Sequence, residues 1–220
     1  MDKENEIKHR RPRRSKADIE DAIHKAAVTQ IKKKGFSMAL VTDIVKRAKI
    51  EPIVFYNRYK NLNEFYDSFV KQYDYWLSDL IRANASGVDT QQGFVDIFNQ
   101  LVDKLAGDEI MVELLRWEIS EGNHITERTA RLRELHSIEL INQHKDKYTE
   151  NSGIVPLIAL IVGGIYFMVM HKDRSTFGGI DINTPDGRQA LANAFDTFGE
   201  MVFKHHTTDR RNNRRTHAGR

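Results

Sequence analysis

Apolar side chains recur every three or four residues along most of this chain, and the alternation of apolar and polar residues that marks strands is almost absent. Ser15 fits the N-cap position of a first helix over residues 16–34, and Gly35 ends it after a run of lysines that suits the negative end of the helix dipole. The spacing predicts an all-α fold. The apolar face of this first helix consists of Ile19, Ile23, Ala26, Ala27 and Ile31.

Composition and charge exclude several classes of protein. The 220 residues include no cysteine, which excludes disulfide scaffolds, thiolate zinc sites and cysteine nucleophiles. The first residues are polar and charged, without the apolar segment of a secretory signal, so we expect a cytoplasmic protein. Residues 1–60 are strongly basic and residues 61–204 are acidic, although the whole chain carries a net charge of only +3. This asymmetry indicates two different partners, and DNA would bind the basic part.

Two short helical patterns joined by a tight turn follow the first helix. Residues 41–48 have apolar residues at helical spacing, and Pro52 opens a second short helix that reaches about Tyr59. The three residues between them leave no room for a loop. A longer helix followed by two short helices with a tight turn between them is the arrangement of a helix-turn-helix.

The rest of the chain is predicted to be helical as well. Asn61 and Glu64 fit a capping box for a fourth helix, which we expect to continue to about Gly87. We predict a basic disordered arm at 1–15, a helix-turn-helix domain at 16–61, a larger helical domain at 62–206 and a basic disordered tail at 207–220, with about nine helices in all. The further predicted helices are Gln91–Leu105, Glu109–Ser120, Thr126–Tyr148, Ile154–His171 and Pro185–His205.

Residues 35–65, GFSMALVTDIVKRAKIEPIVFYNRYKNLNEF, resemble the DNA-binding domain of the TetR family of bacterial transcriptional regulators. The resemblance implies an N-terminal helix-turn-helix domain, a helical domain that binds an effector and dimerises, and a repressor released from a palindromic operator by a small molecule. Lys49 replaces the family's turn glycine, and Glu51 replaces a serine at the start of the recognition helix. The matching residues are Gly35, Phe36, Ile44, Ala48, Ile50, Phe55, Tyr56, Tyr59 and Phe65.

The helix opened by Pro52 carries side chains that can read DNA. Because Phe55 and Tyr59 are four residues apart and face inward, the opposite side is left for the major groove. Asn57 can bind adenine and Arg58 can bind guanine, each through two hydrogen bonds, and an apolar side chain can touch a thymine methyl group. Glu51 would repel phosphate, so it should face solvent or a base edge such as cytosine N4. The predicted DNA-binding residues are Arg13, Arg14, Thr42, Pro52, Ile53, Val54, Tyr56, Asn57, Arg58 and Lys60, of which Tyr56 and Lys60 would bind phosphate.

The last two predicted helices are the expected dimer interface, since a symmetric operator requires a two-fold protein. Residues 154–170 contain no charge, and this apolar run would need cover from another helix. A helix buried within the monomer is one alternative, and a membrane-associated helix is another, because the run has the minimum length for a span. The predicted interface residues are Ile158, Ile161, Ile165, Leu191, Phe195, Phe198 and Val202.

Aromatic and polar side chains in the larger domain suggest an effector pocket, which is also what the resemblance implies. Aromatic walls with a few convergent polar groups are typical of small-molecule sites, although a plain core is the alternative for any single aromatic residue. The resemblance further implies that the fourth helix connects this pocket with the DNA-binding domain. The predicted pocket residues are Tyr73, Trp76, Phe98, Glu113, Trp117, His136 and Phe167.

No catalytic constellation is present in the sequence. HExxH, GxSxG, P-loop and GxGxxG patterns are all absent, and the nine histidines do not have metal-ligand spacing. We therefore expect no enzymatic activity, no cofactor and no metal. Because several family positions differ, a helical ligand-sensing or protein-interaction module with a weakened DNA-binding head is the second interpretation.

Overall fold

The computed structural model describes residues 14–83, 90–144 and 153–217, and the side chains within 14–83, 90–138 and 153–203. Within these ranges the chain forms ten α-helices and no strand, which confirms the predicted all-α fold. The first four helices are α1 (Lys16–Lys34), α2 (Val41–Ala48), α3 (Pro52–Tyr56) and α4 (Leu62–Val70). A 3-10 turn at Lys71–Tyr73 then precedes α5 (Trp76–Ala83), α6 (Gln91–Gly107), α7 (Glu109–Ser120), α8 (His124–His144), α9 (Ile154–His171) and α10 (Pro185–His217).

The chain divides into two compact units, residues 1–65 and residues 66–220. In the first unit, α1 packs against α2, and their apolar faces meet α3 in one small core. Phe55 and four residues of the apolar face of α1 are buried in this core, as their spacing predicts, whereas the fifth, Ile19, is half-buried. The side chains with no exposed surface are Ile23, Ala27, Ile31, Ala39, Ile44 and Phe55.

Both ends of α1 are capped as the sequence predicts. The Ser15 hydroxyl accepts a hydrogen bond from the Asp18 backbone N–H at 3.1 Å, and the Ser15 backbone N–H donates to the Asp18 carboxylate at 2.9 Å. At the other end, Gly35 adopts φ 77° and its N–H donates to the Ile31 carbonyl at 2.7 Å. Only glycine reaches such a φ without steric cost, so Gly35 can redirect the chain toward α2.

The predicted single fourth helix over 61–87 is wrong, because the chain breaks into α4, the 3-10 turn and α5. The amide of Gln72 donates to the Phe69 carbonyl at 2.9 Å, and the Asp74 carboxylate accepts a hydrogen bond from Arg128 of α8 at 2.7 Å. These contacts stabilise a turn where the apolar spacing alone predicts a continuous helix. The break also accounts for ten helices where about nine were expected.

The second unit is built around α6, α7, α9 and α10. Its core contains Leu101 and Leu105 of α6 and Met111 and Leu114 of α7, all of which are buried. Helix α10 continues to His217, beyond the predicted end at His205, so residues 207–217 of the predicted tail are helical. Neither Pro nor Gly occurs between residues 200 and 217, and the helix therefore meets no strong break signal there.

Candidate nucleic-acid interface

The turn between α2 and α3 depends on Lys49. Lys49 adopts a left-handed backbone conformation with φ 54° and ψ 51°, and it is the sole non-glycine residue with positive φ in the part of the chain that the structure describes. The following N–H, that of Ile50, donates to the Val45 carbonyl at 3.2 Å. This closes the end of α2 and directs the chain into Pro52 at the first position of α3.

Phe55 fixes the inner side of α3. Its ring is fully buried and lies 5.4 Å from the ring of Tyr59 and 5.7 Å from that of Phe65, measured between centroids. Tyr59 is half-buried and packs edge-on against Phe65 at 5.1 Å. Burial raises the pKa of the Tyr59 phenol, with the charge of Glu20 adding to the effect. The inward positions predicted for Phe55 and Tyr59 are thus confirmed.

The outer side of α3 is exposed. Ile53 keeps 63% of its surface and Tyr56 keeps 49%, and Pro52 and Asn57 are exposed as well. Val54 is half-buried at the flank. Although α3 ends at Tyr56, the Asn57 N–H still donates to the Ile53 carbonyl at 2.9 Å, so Asn57 remains on the same surface.

Two of the predicted DNA-binding arginines are engaged by the fold. The guanidinium of Arg58, two residues beyond the end of α3, donates to the Val54 carbonyl of that helix at 2.8 Å, and its Nε is buried with no hydrogen-bond partner among the described residues. The structure therefore does not bring Arg58 to the outer side, because its side chain folds back along α3. Arg14 donates to the Ala48 carbonyl at 2.9 Å and so caps the last turn of α2. Arg13 lies outside the described residues.

The remaining charges around α3 are mostly basic. Thr42 and Lys60, both predicted to bind DNA, are exposed, and Lys46 and Arg47 are exposed in the last turn of α2. Lys46 and Arg47 were not among the predicted DNA-binding residues, although two adjacent basic residues on the polar side of a helix that flanks the recognition helix were a usable signal.

Acidic side chains of this unit are largely paired within it. The Asp43 carboxylate binds the Lys34 ammonium at 2.7 Å, and this hydrogen bond holds the pKa of Asp43 below its usual value. The Glu64 carboxylate accepts a hydrogen bond from the Lys60 backbone N–H at 2.6 Å, while the Glu64 N–H donates to Asn61 at 2.9 Å. The predicted capping box thus forms with Lys60, one residue earlier than expected, as its second donor.

The predicted effector-pocket residues make individual packing, hydrogen-bond and ion-pair contacts. Trp117 packs edge-on against Tyr66 and its indole N–H donates to Glu121 at 2.9 Å. Glu113 forms an ion pair with Arg116 of the same helix, and Phe98 packs against Phe195 of α10.

The other predicted pocket residues are Tyr73, Trp76, His136 and Phe167. Tyr73 packs against Phe69, and burial raises the pKa of Tyr73 to about 12. Trp76 is half-buried, His136 stacks on Tyr75, and Phe167 is exposed against Phe177.

A cavity of about 380 Å³ lies between α6 and the start of α10. None of the predicted pocket residues lines it. An ion pair between Arg188 and Asp103, with N–O distance 2.7 Å, lies among its lining residues. The lining residues are Asn99, Val102, Asp103, Pro185, Arg188, Gln189, Leu191, Ala192 and Phe195.

The second unit also holds a buried polar cluster that sequence reasoning did not single out. The Glu118 carboxylate accepts hydrogen bonds from the Thr129 hydroxyl at 2.6 Å and from the guanidinium of Arg133. Burial lowers the pKa of Arg133 and raises that of Tyr166. An eleven-residue separation across two predicted helices gives no sequence signal for such a pair.

Several predicted dimer-interface residues are core residues of the protomer, and this corrects the prediction. Ile165, Leu191, Phe195 and Val202 are buried, so they have no surface left for a partner. Phe198 is half-buried against the rings of Phe94 and Phe98, and Ile158 and Ile161 are half-buried on α9.

The exposed apolar surface lies on other residues of α9 and α10. Leu160 keeps 71% of its surface, and the neighbouring exposed residues are Val155, Leu157, Phe167 and Met201. Helix α9 is also long and apolar enough to cross a membrane. A single helix of this kind is weak evidence for a membrane span, because core helices of soluble proteins have the same length and composition.

Comparison with known proteins supports the fold. No family model matches the sequence, and no curated protein matches it. Among solved structures, the fatty acid degradation regulator FadR from Bacillus halodurans aligns with TM-score 0.58 at 18% identity, covering 82% of this chain and 97% of that one. A TetR family transcription regulator from Marinobacter aquaeolei VT8 aligns with TM-score 0.59 at 18% identity, covering 82% and 95%. The chain therefore has the fold of TetR-type regulators, as the resemblance implied.

Proposed function

We propose that this protein is a cytoplasmic, ligand-responsive transcriptional regulator that binds a palindromic DNA operator as a homodimer, and that a small-molecule effector releases it. The observation that carries the proposal is the orientation of α3. Phe55 holds its inner side in the core, and Ile53, Tyr56 and Asn57 are left exposed on its outer side. A short helix presented in this way fits the major groove.

On DNA, α3 would combine base contacts with phosphate contacts. Asn57 can donate to N7 and accept from N6 of adenine, and the exposed methyl groups of Ile53 can pack against a thymine methyl group. The hydroxyl of Tyr56 and the ammonium of Lys60 would bind phosphates on either side of the groove. Lys46 and Arg47 would add phosphate contacts from α2, so binding should weaken steeply with salt.

The two-fold symmetry of the proposed operator requires a second copy of the chain. The exposed face of α9 is the strongest candidate for its interface, because α9 contains no charged side chain between Ile154 and Met170. Ala190, Ala194 and Met201 form an exposed, largely small-residue stripe on α10. Two helices from each protomer could then form a four-helix bundle.

The effector would bind in the second unit. The structure offers two features for it, the cavity between α6 and α10 and the buried cluster of Glu118, Thr129 and Arg133. Ligand control requires that the effector bind one conformation of the dimer more tightly than the DNA-bound one.

The proposal is tested with operator DNA selected from random duplexes by the full-length protein. Tyr56→Ala and Lys60→Ala should each lower operator affinity about tenfold, since each removes a phosphate contact. Tyr75→Ala and Lys104→Ala are matched controls, because both residues are exposed in the second unit. Undiminished binding by the Tyr56 and Lys60 variants would instead favour the helical ligand-sensing or interaction module with a weakened head.

A further inference from the structure

The carboxylate of Glu51 is exposed at the start of α3 and makes no hydrogen bond to the helix. Glu51 occupies the N-cap position with φ −75° and ψ 147°, and only its backbone carbonyl is used, accepting from the Val54 N–H at 2.9 Å. A serine or aspartate at this position would cap the helix with its side chain. The longer side chain of Glu51 is instead left available beside the exposed Pro52 and Ile53.

Other carboxylates of the same unit are held by the fold. Asp21 binds Lys25 at 2.7 Å, Asp43 binds Lys34 at 2.7 Å, and Glu64 caps the Lys60 N–H. Among the residues that the structure describes, Glu51 has no such contact, although the exposed cations Lys46 and Lys49 lie close to it in sequence.

Free negative charge at this place opposes phosphate binding, so Glu51 cannot add general affinity for DNA. A carboxylate can accept hydrogen bonds but cannot donate them. In the major groove, guanine and thymine present acceptors, which it would repel, and adenine presents an acceptor beside its amino group. Cytosine presents the N4 amino donor and no acceptor of its own in the major groove.

We propose that Glu51 determines specificity by accepting a hydrogen bond from N4 of a cytosine in each operator half-site. This inference rests on the proposed DNA-binding function and adds a base preference to it. The carboxylate excludes the other three bases at this position while Ile53 and Asn57 read neighbouring positions. Glu51 lowers affinity for DNA in general and restores it at the correct sequence.

Selection of bound duplexes from a random pool tests the inference, using the full-length protein and its E51Q, E51A and E20Q variants. Glu20 is an exposed carboxylate on α1 and serves as the matched control. The wild type and E20Q should select the same motif with one cytosine per half-site. E51A should select the same motif without a preference at that position, and E51Q should no longer require cytosine there, because a glutamine amide can also bind adenine.

Affinity measurements then give the size of the preference for cytosine. Replacing the cytosine pair should weaken wild-type binding about tenfold and E51A binding less than about twofold, in line with one base contact. Binding of E51Q to unrelated DNA should become tighter, because a negative charge is removed.

The two proposals fail in different ways. A cytosine preference that survives in E51A, or a wild-type motif without any position that depends on residue 51, would overturn the role of Glu51 while leaving DNA binding intact. If the wild type selected no motif at all, the proposed function itself would be wrong, and the role of Glu51 with it.

Discussion

The guanidinium of Arg14 donates a hydrogen bond to the backbone carbonyl of Ala48 at 2.9 Å, across 34 residues of sequence. This contact joins a residue two positions before α1 to the last residue of α2. The carbonyls of a final helical turn have no partner within the helix, and a cation there also suits the helix dipole. Arg14 therefore stabilises the end of α2 immediately before the turn that positions α3.

Replacing Arg14 by alanine should destabilise the DNA-binding unit by about 1 kcal/mol, the typical net value of one hydrogen bond. The structural contact predicts a loss of stability in the absence of DNA, which a purely electrostatic DNA contact would not produce. Thermal unfolding of the free protein measures it, with Arg47→Ala as the control because Arg47 is exposed in the same helix. Equal unfolding temperatures for both variants would contradict a capping role for Arg14.

Relief of backbone strain should make Lys49→Gly more stable than the wild type. A left-handed conformation costs a residue with a Cβ atom about 1 kcal/mol, and glycine adopts it freely. Lys49→Ala removes the same charge but keeps the strain, so its stability should stay near that of the wild type. Denaturant titration of the three proteins compares them. If Lys49→Gly and Lys49→Ala changed the free energy of unfolding equally, backbone strain at φ 54° would not lower the stability of the wild type.

Local sequence rules predict much of the structure of the first unit. The capping residues of α1, the turn at Lys49 and the inward face of α3 each depend on residues within a few positions of one another, and each was predicted. Arg58 departs from its predicted role because its guanidinium binds a carbonyl four residues earlier, a competition that residue type alone does not decide.

Errors in the second unit arise where distant elements meet. The break after α4 involves Arg128, and the apolar stripe of α10 is covered by α6, so Phe195 packs on Phe98 rather than on a partner. Periodicity identifies which face of a helix is apolar, but it does not say whether that face meets the same chain or another one. The sequence therefore predicts the helix α9 itself better than it predicts which residues of that helix are exposed.

Buried tyrosines should make the second unit sensitive to alkaline pH. Burial raises the pKa of Tyr73 from 10.0 to about 12, so the folded state holds this proton more tightly than the unfolded chain. Stability is unaffected below the unfolded pKa and is lost as pH rises through the interval between the two values, because only the unfolded state ionises there. Tyr73→Phe should lose less stability than the wild type between about pH 10 and pH 12. Denaturant titrations across this range, with the exposed Tyr75→Phe as control, measure the difference. Parallel losses in all three proteins would contradict the effect of burial.

Leu160→Glu should convert the protein from dimer to monomer. Leu160 keeps 71% of its surface in the protomer, so the substitution leaves the core intact and places a charge in the proposed α9 interface. Ile119→Glu is the matched control, since Ile119 is 74% exposed on α7 and is not part of the proposed interface. Light scattering after gel filtration should give a dimer for the wild type and the control, and a monomer for Leu160→Glu. The monomer should also bind a half-site about as well as the wild type does, yet lose the cooperative binding to the full palindrome. A dimer that survives Leu160→Glu would show that another surface mediates association, and a wild type that requires detergent to stay in solution would favour the membrane-associated interpretation of α9.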